Sequence, residues 1–161
     1  MNRGNLEQVA EKMTLKSHQS KKSQAILLMD LDNFKNINDT YGHLFGDQVI
    51  QAFAELAKSN MREIDFLGRY GGEEFCMVMP ITNEQEALQV AERIRYKFEN
   101  TPILFNDIPV YCTVSVGISD SDQVGKDFKS MFSAADQSLY AAKKSGRNTI
   151  ILYSSLKLSH Q

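Results

Sequence analysis

A continuous apolar segment at residues 25–29 constrains the fold more than any other feature of this chain. Its sequence, Ala-Ile-Leu-Leu-Met, has no polar face, and fully buried strands have this composition. The segment runs directly into Asp30-Leu31-Asp32. The end of a buried strand is where open α/β sheets usually bind their ligands. We therefore expect a covered sheet with an acidic site at the end of this strand.

The remaining sequence predicts helices that alternate with strands. Apolar residues at helical spacing predict helices at residues 6–14, 46–59, 84–99 and 128–144. Short apolar or alternating stretches predict further strands at residues 66–70, 73–79, 110–118 and 149–153. The predicted fold class is α/β (α+β), a mixed sheet with helices packed on it.

Local signals refine this prediction. Gly71-Gly72 joins two short strands as a β-hairpin, and Asp32 is the predicted N-cap of a short helix that ends near residue 38. Residues 110–118 alternate strictly, which predicts a half-buried strand. The polar residues 16–23 are expected to separate the first helix from the rest, and residues 154–161 are expected to form a frayed tail.

Composition excludes several classes of partner. The chain has 18 basic and 20 acidic residues and a net charge of −2, so nothing points to DNA or RNA as a partner. No apolar run approaches the roughly 20 residues of a membrane-spanning helix, and the N-terminus lacks the apolar core of a secretory signal. These observations predict a cytoplasmic domain without a membrane segment.

Four acidic residues lie close to two predicted loop tips. Asp30 and Asp32 end the buried strand, and Glu73 and Glu74 directly follow the Gly-Gly turn. Carboxylate oxygens at these positions are suitable ligands for a hard cation such as Mg²⁺. For the two glutamates alone, an acidic turn that only keeps the hairpin soluble is an equally good interpretation.

Several short strings, in one order along nearly the whole chain, give a more specific signal. They are GGEEF at residues 71–75, DLDNFKNIND at 30–39, RY at 69–70, LYAAK at 139–143 and GRN at 146–148. Together they closely resemble the GGDEF family of diguanylate cyclases. The resemblance implies a mostly antiparallel sheet of about five strands, similar to the palm domain of nucleotidyl cyclases. Glu73 stands where the family name has Asp, and both residue types ligate Mg²⁺.

The implied activity is the condensation of two GTP molecules into cyclic di-GMP with release of two pyrophosphates. In the family pattern Asp30, Glu73 and the carbonyl of Leu31 hold the metal, two Mg²⁺ (or Mn²⁺) ions for each active site. The implied catalytic residues are Glu73, Glu74 and Lys35. For Glu74, a role as a further ligand and a role in supporting the base both stay open.

The resemblance also implies a substrate site. Its residues would be Asn33, Phe34, Lys35, Asn38, Asp47, Gly71, Gly72, Lys143 and Arg147. Asp47 and Asn38 match the residues that face guanine, and adenine would leave the Asp47 oxygens unpaired. Four of these residues also have a structural interpretation: an N-cap for Asp47, a turn residue for Asn38, and a basic helix end for Lys143 and Arg147.

A second ligand site is implied by Arg62-Glu63-Ile64-Asp65, which fits the family's RxxD inhibitory motif. A strand separates Asp65 from Gly71 by roughly 20 Å, so product bound at this motif would inhibit allosterically. Arg62 can bind a guanine edge in bidentate fashion, and Arg93 is a candidate secondary contact or a solvated helix residue.

The product is two-fold symmetric, so the implied active form is a homodimer of domains. Asn2-Arg3 resembles the end of the family's entry segment. We therefore expect this chain to be a fragment of a longer protein that carries an upstream sensory domain. Whether that longer protein is anchored to a membrane stays open. The alternative function is a catalytically silent module that binds GTP or cyclic di-GMP as a regulatory receptor. A cyclase with a mononucleotide product is disfavoured by Asn38, Asp47 and the RxxD motif.

Overall fold

The computed structural model describes residues 3–20 and 22–159. The helices in this part of the chain are α1 (Arg3–Ser20), α2 (Phe34–Tyr41), α3 (His43–Ser59), α4 (Glu84–Glu99), α5 (Ser121–Val124), α6 (Phe128–Lys144) and α7 (Tyr153–Ser159). The strands are β1 (Gln24–Leu31), β2 (Phe66–Arg69), β3 (Glu74–Pro80), β4 (Ile103–Phe105), β5 (Ile108–Val110), β6 (Val114–Asp120) and β7 (Ile150–Leu152). Across these described residues, no helix combines the length and the apolar character that crossing a bilayer requires.

Five strands form one sheet in the order β2-β3-β1-β6-β7. β1 lies at its centre and pairs antiparallel with both β3 and β6, and β2 pairs antiparallel with β3. Only the β6–β7 pair within this sheet is parallel. The expected mixed, mostly antiparallel sheet of about five strands is therefore confirmed. β4 and β5 form a separate two-stranded hairpin.

Helices cover both faces of β1, as its unbroken apolar sequence predicts. Side chains alternate across a strand, so Ala25, Leu27 and Met29 join a core cluster that also contains apolar residues of α2, α3 and α4. Ile26 and Leu28 face the opposite way and join a second cluster with residues of α1 and α6. The sheet is thus the middle layer between two helical layers.

The structure departs from the sequence prediction at the less regular segments. The first helix continues to Ser20 through most of the predicted polar separator, and the expected tail forms α7 up to Ser159, with residues 160 and 161 outside the described part. The β4–β5 hairpin was not predicted. The strand at 110–118 begins only at Val114 and is buried on both faces, because α6 covers the side that carries Ser115.

The N-cap prediction for Asp32 is wrong. α2 begins after Asn33, whose backbone has the left-handed φ of 54°, and no side chain caps this helix end. Asp32 instead turns into the protein and is 3% exposed. The other helix boundaries agree closely: α4 and α6 have the predicted limits, and α3 begins three residues before the predicted start at residue 46.

Gly117 allows α6 to pack directly on β6. A Cβ atom built at this position would lie 2.2 Å from the carbonyl oxygen of Ala135 and 2.3 Å from the backbone nitrogen of Leu139. Both atoms belong to the backbone of α6, which cannot move aside without leaving the sheet. The absence of a side chain therefore sets the distance between helix and sheet.

We expect Gly117→Ala to lower the free energy of unfolding by about 3 kcal/mol, because the added methyl group overpacks the α6–β6 contact. Chemical denaturation measures this change. Gly72→Ala is the matched control, since a Cβ at Gly72 meets nothing within 4 Å. Its free energy of unfolding should stay within about 0.5 kcal/mol of the parent. Equal stability of the two variants would contradict the close packing of α6.

Candidate active site

A cavity of about 330 Å³ opens where β1 ends, between the β2–β3 hairpin, the start of α2 and the end of α6. It is lined by Asp30, Leu31, Asn33, Phe34, Lys35, Asn36, Glu73, Lys143 and Arg147. All of these residues except Asn36 are among the predicted site residues. Segments more than 100 residues apart in the chain thus meet at the predicted end of the buried strand.

Pairing of β1 with the hairpin brings Glu73 beside the β1 acids. Asp30 lies opposite Glu74 in the antiparallel register, and the backbone N–H of Leu31 donates to the carbonyl oxygen of Glu73 at 3.2 Å. Glu73 lines the cavity, whereas Glu74 does not. A Cβ on Gly71 would lie 2.8 Å from Glu74 Oε1, which places the Glu74 carboxylate against the turn.

Arg69 stabilises the Gly-Gly turn. Its Nε donates to the carbonyl oxygens of Gly71 at 3.1 Å and of Gly72 at 3.0 Å. Neither glycine has a positive φ, so left-handed geometry is not what the turn requires of them. A side chain on Gly71 would collide with Glu74, and the side of Gly72 that would carry a Cβ is open.

The first turn of α2 contributes backbone donors to the cavity. The first N–H groups of a helix have no intrahelical acceptor, and they favour anions together with the helix dipole. The N–H of Ile37 donates to the carbonyl of Asn33, so the free donors belong to the residues before Ile37. Phe34, Lys35 and Asn36 lie in this turn and line the cavity. The arrangement suits a phosphate group.

Lys143, near the end of α6, directs its ammonium group onto the oxygens at the end of β1. Its Nζ lies 3.0 Å from Asp30 Oδ1, 2.8 Å from Asp32 Oδ1, 3.2 Å from the Asp30 carbonyl and 3.4 Å from the Leu31 carbonyl. Burial raises the pKa of Asp30 above its ordinary value, and Lys143 opposes this rise while Glu74 and Asp32 add to it.

Asp32, one of the four acids that the sequence offered as cation ligands, does not line the cavity and is buried behind it. Its carboxylate accepts hydrogen bonds from Thr113 Oγ1 at 2.7 Å, Ser115 Oγ at 2.6 Å and the backbone N–H of Asn148 at 3.0 Å, in addition to Lys143. Burial raises the pKa of Asp32, but the hydrogen bonds from Lys143, Ser115 and Thr113 outweigh it, so the pKa lies below its ordinary value. Its position two residues after Asp30 was the available signal.

The cavity oxygens fit a hard cation. Asp30, Glu73 and the Leu31 carbonyl offer only oxygen, which Mg²⁺ prefers, and the ammonium of Lys143 already lies against the Asp30 and Leu31 oxygens. Among residues 3–20 and 22–159, no group of three or more His, Cys, Asp or Glu side chains forms a complete metal cage. Mg²⁺ commonly combines one or two carboxylates with substrate phosphates and water, and this donor set is of that kind.

The residues predicted to face the base lie outside this cavity. Asp47 lines a neighbouring cavity of about 410 Å³ between α3 and the β2–β3 hairpin, together with Arg69. Asn38 packs against Gly46, where a Cβ would lie 1.9 Å from Asn38 Oδ1. This oxygen is buried without a hydrogen-bond partner. An unpaired buried oxygen is costly, so Asn38 is a polar group with unused bonding capacity.

Arg62 and Asp65 form a compact ion pair at the far end of the β2–β3 hairpin. Arg62 Nη2 donates to Asp65 Oδ1 at 2.7 Å and to the carbonyl of Pro80, the last residue of β3, at 2.8 Å. The Asp65 side chain is fully buried, whereas that of Arg62 is 45% exposed. Arg93 donates from Nε to Asn60 Oδ1 at 3.1 Å in the same region.

A family model for the diguanylate cyclase GGDEF domain matches residues 1–149. The chain belongs to the GGDEF family. It is 41% identical over 136 residues to diguanylate cyclase A of Treponema denticola, and 42% identical over 127 residues to the response regulator PleD of Caulobacter vibrioides. These alignments cover 84% and 78% of this chain, but only 37% and 28% of the relatives. The GGDEF domain described here thus corresponds to a minor part of each relative's length.

Solved structures of GGDEF domains have the same fold. The active GGEEF domain of a diguanylate cyclase from Vibrio cholerae superimposes with a TM-score of 0.88 at 32% identity, covering 95% of this chain and 97% of that one. The GGDEF domain of DgcB from Caulobacter crescentus, solved in complex with c-di-GMP, also has a TM-score of 0.88, at 28% identity over 96% and 91% of the two chains. The palm-like fold expected from the sequence motifs is therefore confirmed for this GGDEF domain.

We expect Lys143→Met to raise the pKa of Asp30 further, because the substitution removes the positive charge that opposes burial and leaves the repulsion from Glu74 and Asp32. The pKa of Asp32 should rise as well, since Lys143 donates one of the hydrogen bonds that lower it. Carboxyl-carbon NMR titration of the GGDEF domain measures both values. Lys144→Met is the control, because Lys144 lies over the Tyr140 ring. An unchanged Asp30 titration in Lys143→Met would contradict the contact.

Proposed function

We propose that this GGDEF domain is a Mg²⁺-dependent diguanylate cyclase, which condenses two GTP molecules into cyclic di-GMP and releases two pyrophosphates. The observation that carries the proposal is the cavity at the end of β1. Asp30 and Glu73 line it together with Lys143, Arg147 and the first turn of α2, and the ammonium of Lys143 lies 3.0 Å from Asp30 Oδ1. A site with cation ligands, anion-binding amides and fixed positive charges suits a nucleoside triphosphate.

The chain's own groups supply binding and orientation. The α2 amides and the side chains of Lys35, Lys143 and Arg147 bind the triphosphate, and Asp30, Glu73 and the Leu31 carbonyl would hold Mg²⁺. When bound, the metal neutralises phosphate charge and assists departure of pyrophosphate. The 3′-hydroxyl oxygen of one GTP attacks the α-phosphorus of the other, a phosphoester bond forms, and the bond to the β-phosphate breaks.

Glu74 is the candidate for a supporting role in this step. It lies at the first position of β3, against Gly71 and outside the cavity lining, and its charge adds to the burial that raises the pKa of Tyr70. From this position Glu74 can assist the group that takes the 3′-hydroxyl proton. A role as a further metal ligand would require its side chain to turn toward the cavity.

Guanine recognition is assigned to Asp47 and Asn38. The Asp47 carboxylate lines the adjacent cavity, and the buried Asn38 Oδ1 lacks a partner. Guanine offers N–H donors at N1 and N2 to the Asp47 carboxylate, whereas adenine has neither donor. Asp47 is exposed in the free domain, so a bound base would cover it, and the wrong base would leave its oxygens unpaired. Asn38 would join this contact by turning its amide away from Gly46.

Two copies of the domain are required for the proposed reaction. One cavity of about 330 Å³ holds one triphosphate, and the product contains two symmetric phosphodiester bonds. Each copy presents its GTP to the 3′-hydroxyl of the other, so turnover should rise with domain concentration. We propose that an upstream sensory domain controls this pairing, and that the GGDEF domain works in the cytoplasm, where GTP is available.

Product inhibition is assigned to Arg62, Asp65 and Arg93. β3 separates the Arg62 contact at Pro80 from the Gly-Gly turn, a distance of roughly 20 Å at 3.3 Å per residue. Product bound there cannot touch GTP in the same domain. Inhibition therefore has to act on how domains pair, as a coupling between two distinct sites.

The first test is to incubate the concentrated domain with GTP and Mg²⁺ and to identify the products by mass spectrometry. We expect cyclic di-GMP from the parent and loss of turnover in Glu73→Ala, because one of two cavity carboxylates is removed. Glu11→Ala, a change of an exposed residue on α1, is the matched control. Absence of product even from a covalently dimerised protein would favour the receptor function. Full turnover of Glu73→Ala would remove Glu73 from the site.

We expect Arg62→Ala to relieve product inhibition, because the guanidinium that would bind a guanine edge is lost. The measurement is the ratio of initial rates with and without added cyclic di-GMP, paired with calorimetric binding of the product. Asp65 then lacks its ion-pair partner, so thermal unfolding serves as the control for folding. Unchanged product affinity in a folded variant would show that the RxxD sequence is unrelated to inhibition.

A further inference from the structure

We propose that Asp32 is a positioning residue, which holds the triphosphate-binding residues Lys143 and Arg147 in place. The inference rests on the proposed function, because it deepens the description of the same phosphate site. Asp32 does not line the cavity and is not among the residues assigned to bind metal or substrate. It is buried and joins three segments of the chain through its hydrogen bonds.

The Asp32 carboxylate is a fixed point behind the cavity wall. Its side chain is 1% exposed. Thr113 and Ser115 donate to its two oxygens from the start of β6, at 2.7 and 2.6 Å. The backbone N–H of Asp32 also donates to the Thr113 carbonyl at 2.9 Å. A buried carboxylate held in this way keeps its position, since moving it would break these hydrogen bonds inside the protein.

Lys143 depends on this fixed point for its direction. Four oxygens surround its ammonium group. The Asp30 carboxylate and the Leu31 carbonyl are assigned to the metal, and the Asp30 backbone carbonyl lies farther away, at 3.2 Å, and is uncharged. The Asp32 oxygen, at 2.8 Å, is the nearest of the four and lies outside that set. Asp32 can therefore keep Lys143 in place when the other oxygens have different partners.

Arg147 depends on the same carboxylate through the backbone. Arg147 and Asn148 have φ values of 66° and 48°, a left-handed conformation that side-chain-bearing residues adopt rarely. The N–H of Asn148 donates to Asp32 Oδ2 at 3.0 Å, and the Asn148 amide donates to Glu99 Oε2 at 2.8 Å. These two bonds hold the turn that carries Arg147 at the cavity edge.

The variant Asp32→Asn isolates this role. Asparagine has nearly the same shape, but it has no negative charge, and its amide nitrogen would face a donor on Lys143 or on the Asn148 backbone. Asparagine keeps one acceptor oxygen, so either Lys143 or the Asn148 N–H loses its acceptor, and Lys143 loses the neighbouring negative charge in both cases. Asp30, Glu73 and the α2 amides stay in place. Binding of a triphosphate, whose charge needs both cationic side chains, should therefore weaken more than binding of a monophosphate.

The experiment compares the affinities of two probes in the presence of Mg²⁺, measured by calorimetry. The probes are α,β-methylene GTP, which cannot release pyrophosphate, and GMP, which lacks the outer phosphates. We expect Asp32→Asn to weaken binding of the triphosphate analogue about tenfold, which is the lower end of the affinity losses seen when residues that orient ligands are changed. The affinity for GMP should change less than about twofold. In a Lys143→Met background the loss should be clearly smaller, because part of it acts through Lys143.

Ser119→Ala is the matched control, since Ser119 is another buried serine of β6 and donates to the carbonyl of Met131, away from the cavity. Equal losses for both probes, or an unchanged affinity for the analogue, would overturn the positioning role. A parent protein that binds the analogue no better than GMP would overturn the proposed phosphate site itself. If Asp32→Asn does not fold, Ser115→Ala tests the same carboxylate and should give a smaller loss with the same selectivity for the analogue.

Discussion

The antiparallel pairing of β1 with both β3 and β6 is the constraint on which the rest of the structure depends. β1 is covered on both faces, so its apolar residues fix the sheet between two helical layers. The same pairing ends at Asp30 and Leu31, where the sheet gives way to loops. The polar site exists because the central strand β1, covered on both faces, ends at acidic residues, next to the hairpin on one side and to the start of β6 on the other.

Regular, strongly patterned segments were predictable from the sequence. α4 and α6 have clear helical spacing and end where predicted, and β1 is recognisable from its composition alone. Segments whose burial depends on partners far along the chain were not predictable from the sequence. Residues 110–118 look half-buried in isolation because Tyr111, Thr113 and Ser115 alternate with apolar residues. In the fold Ser115 is buried and donates to Asp32 Oδ1. The short β4–β5 hairpin and α7 lack a pattern long enough to identify them.

The candidate site was predictable where the motifs specify residue types, and less so where geometry decides. The sequence motifs predicted that Asp30, Glu73, Lys143 and Arg147 belong to one active site. In the structure all four line one cavity. The sequence also suggested a helix cap for Asp32, because Asp is a common N-cap. Only the fold shows that Thr113, Ser115 and Asn148, all far along the chain, surround this carboxylate. The N-cap preference of Asp32 is outweighed by these long-range hydrogen bonds, which the neighbouring sequence cannot predict.

The register of the hairpin gives two identical neighbours different surroundings. Glu73 and Glu74 are the same amino acid, and the bond from Leu31 to the Glu73 carbonyl determines which carboxylate enters the cavity. A slip of one residue would reverse their faces. The repeated glutamate therefore means that a misaligned hairpin still presents a carboxylate to the cavity, but from a displaced backbone. The two residues have the same side chain, so only the alignment of β3 with β1 distinguishes Glu73 from Glu74.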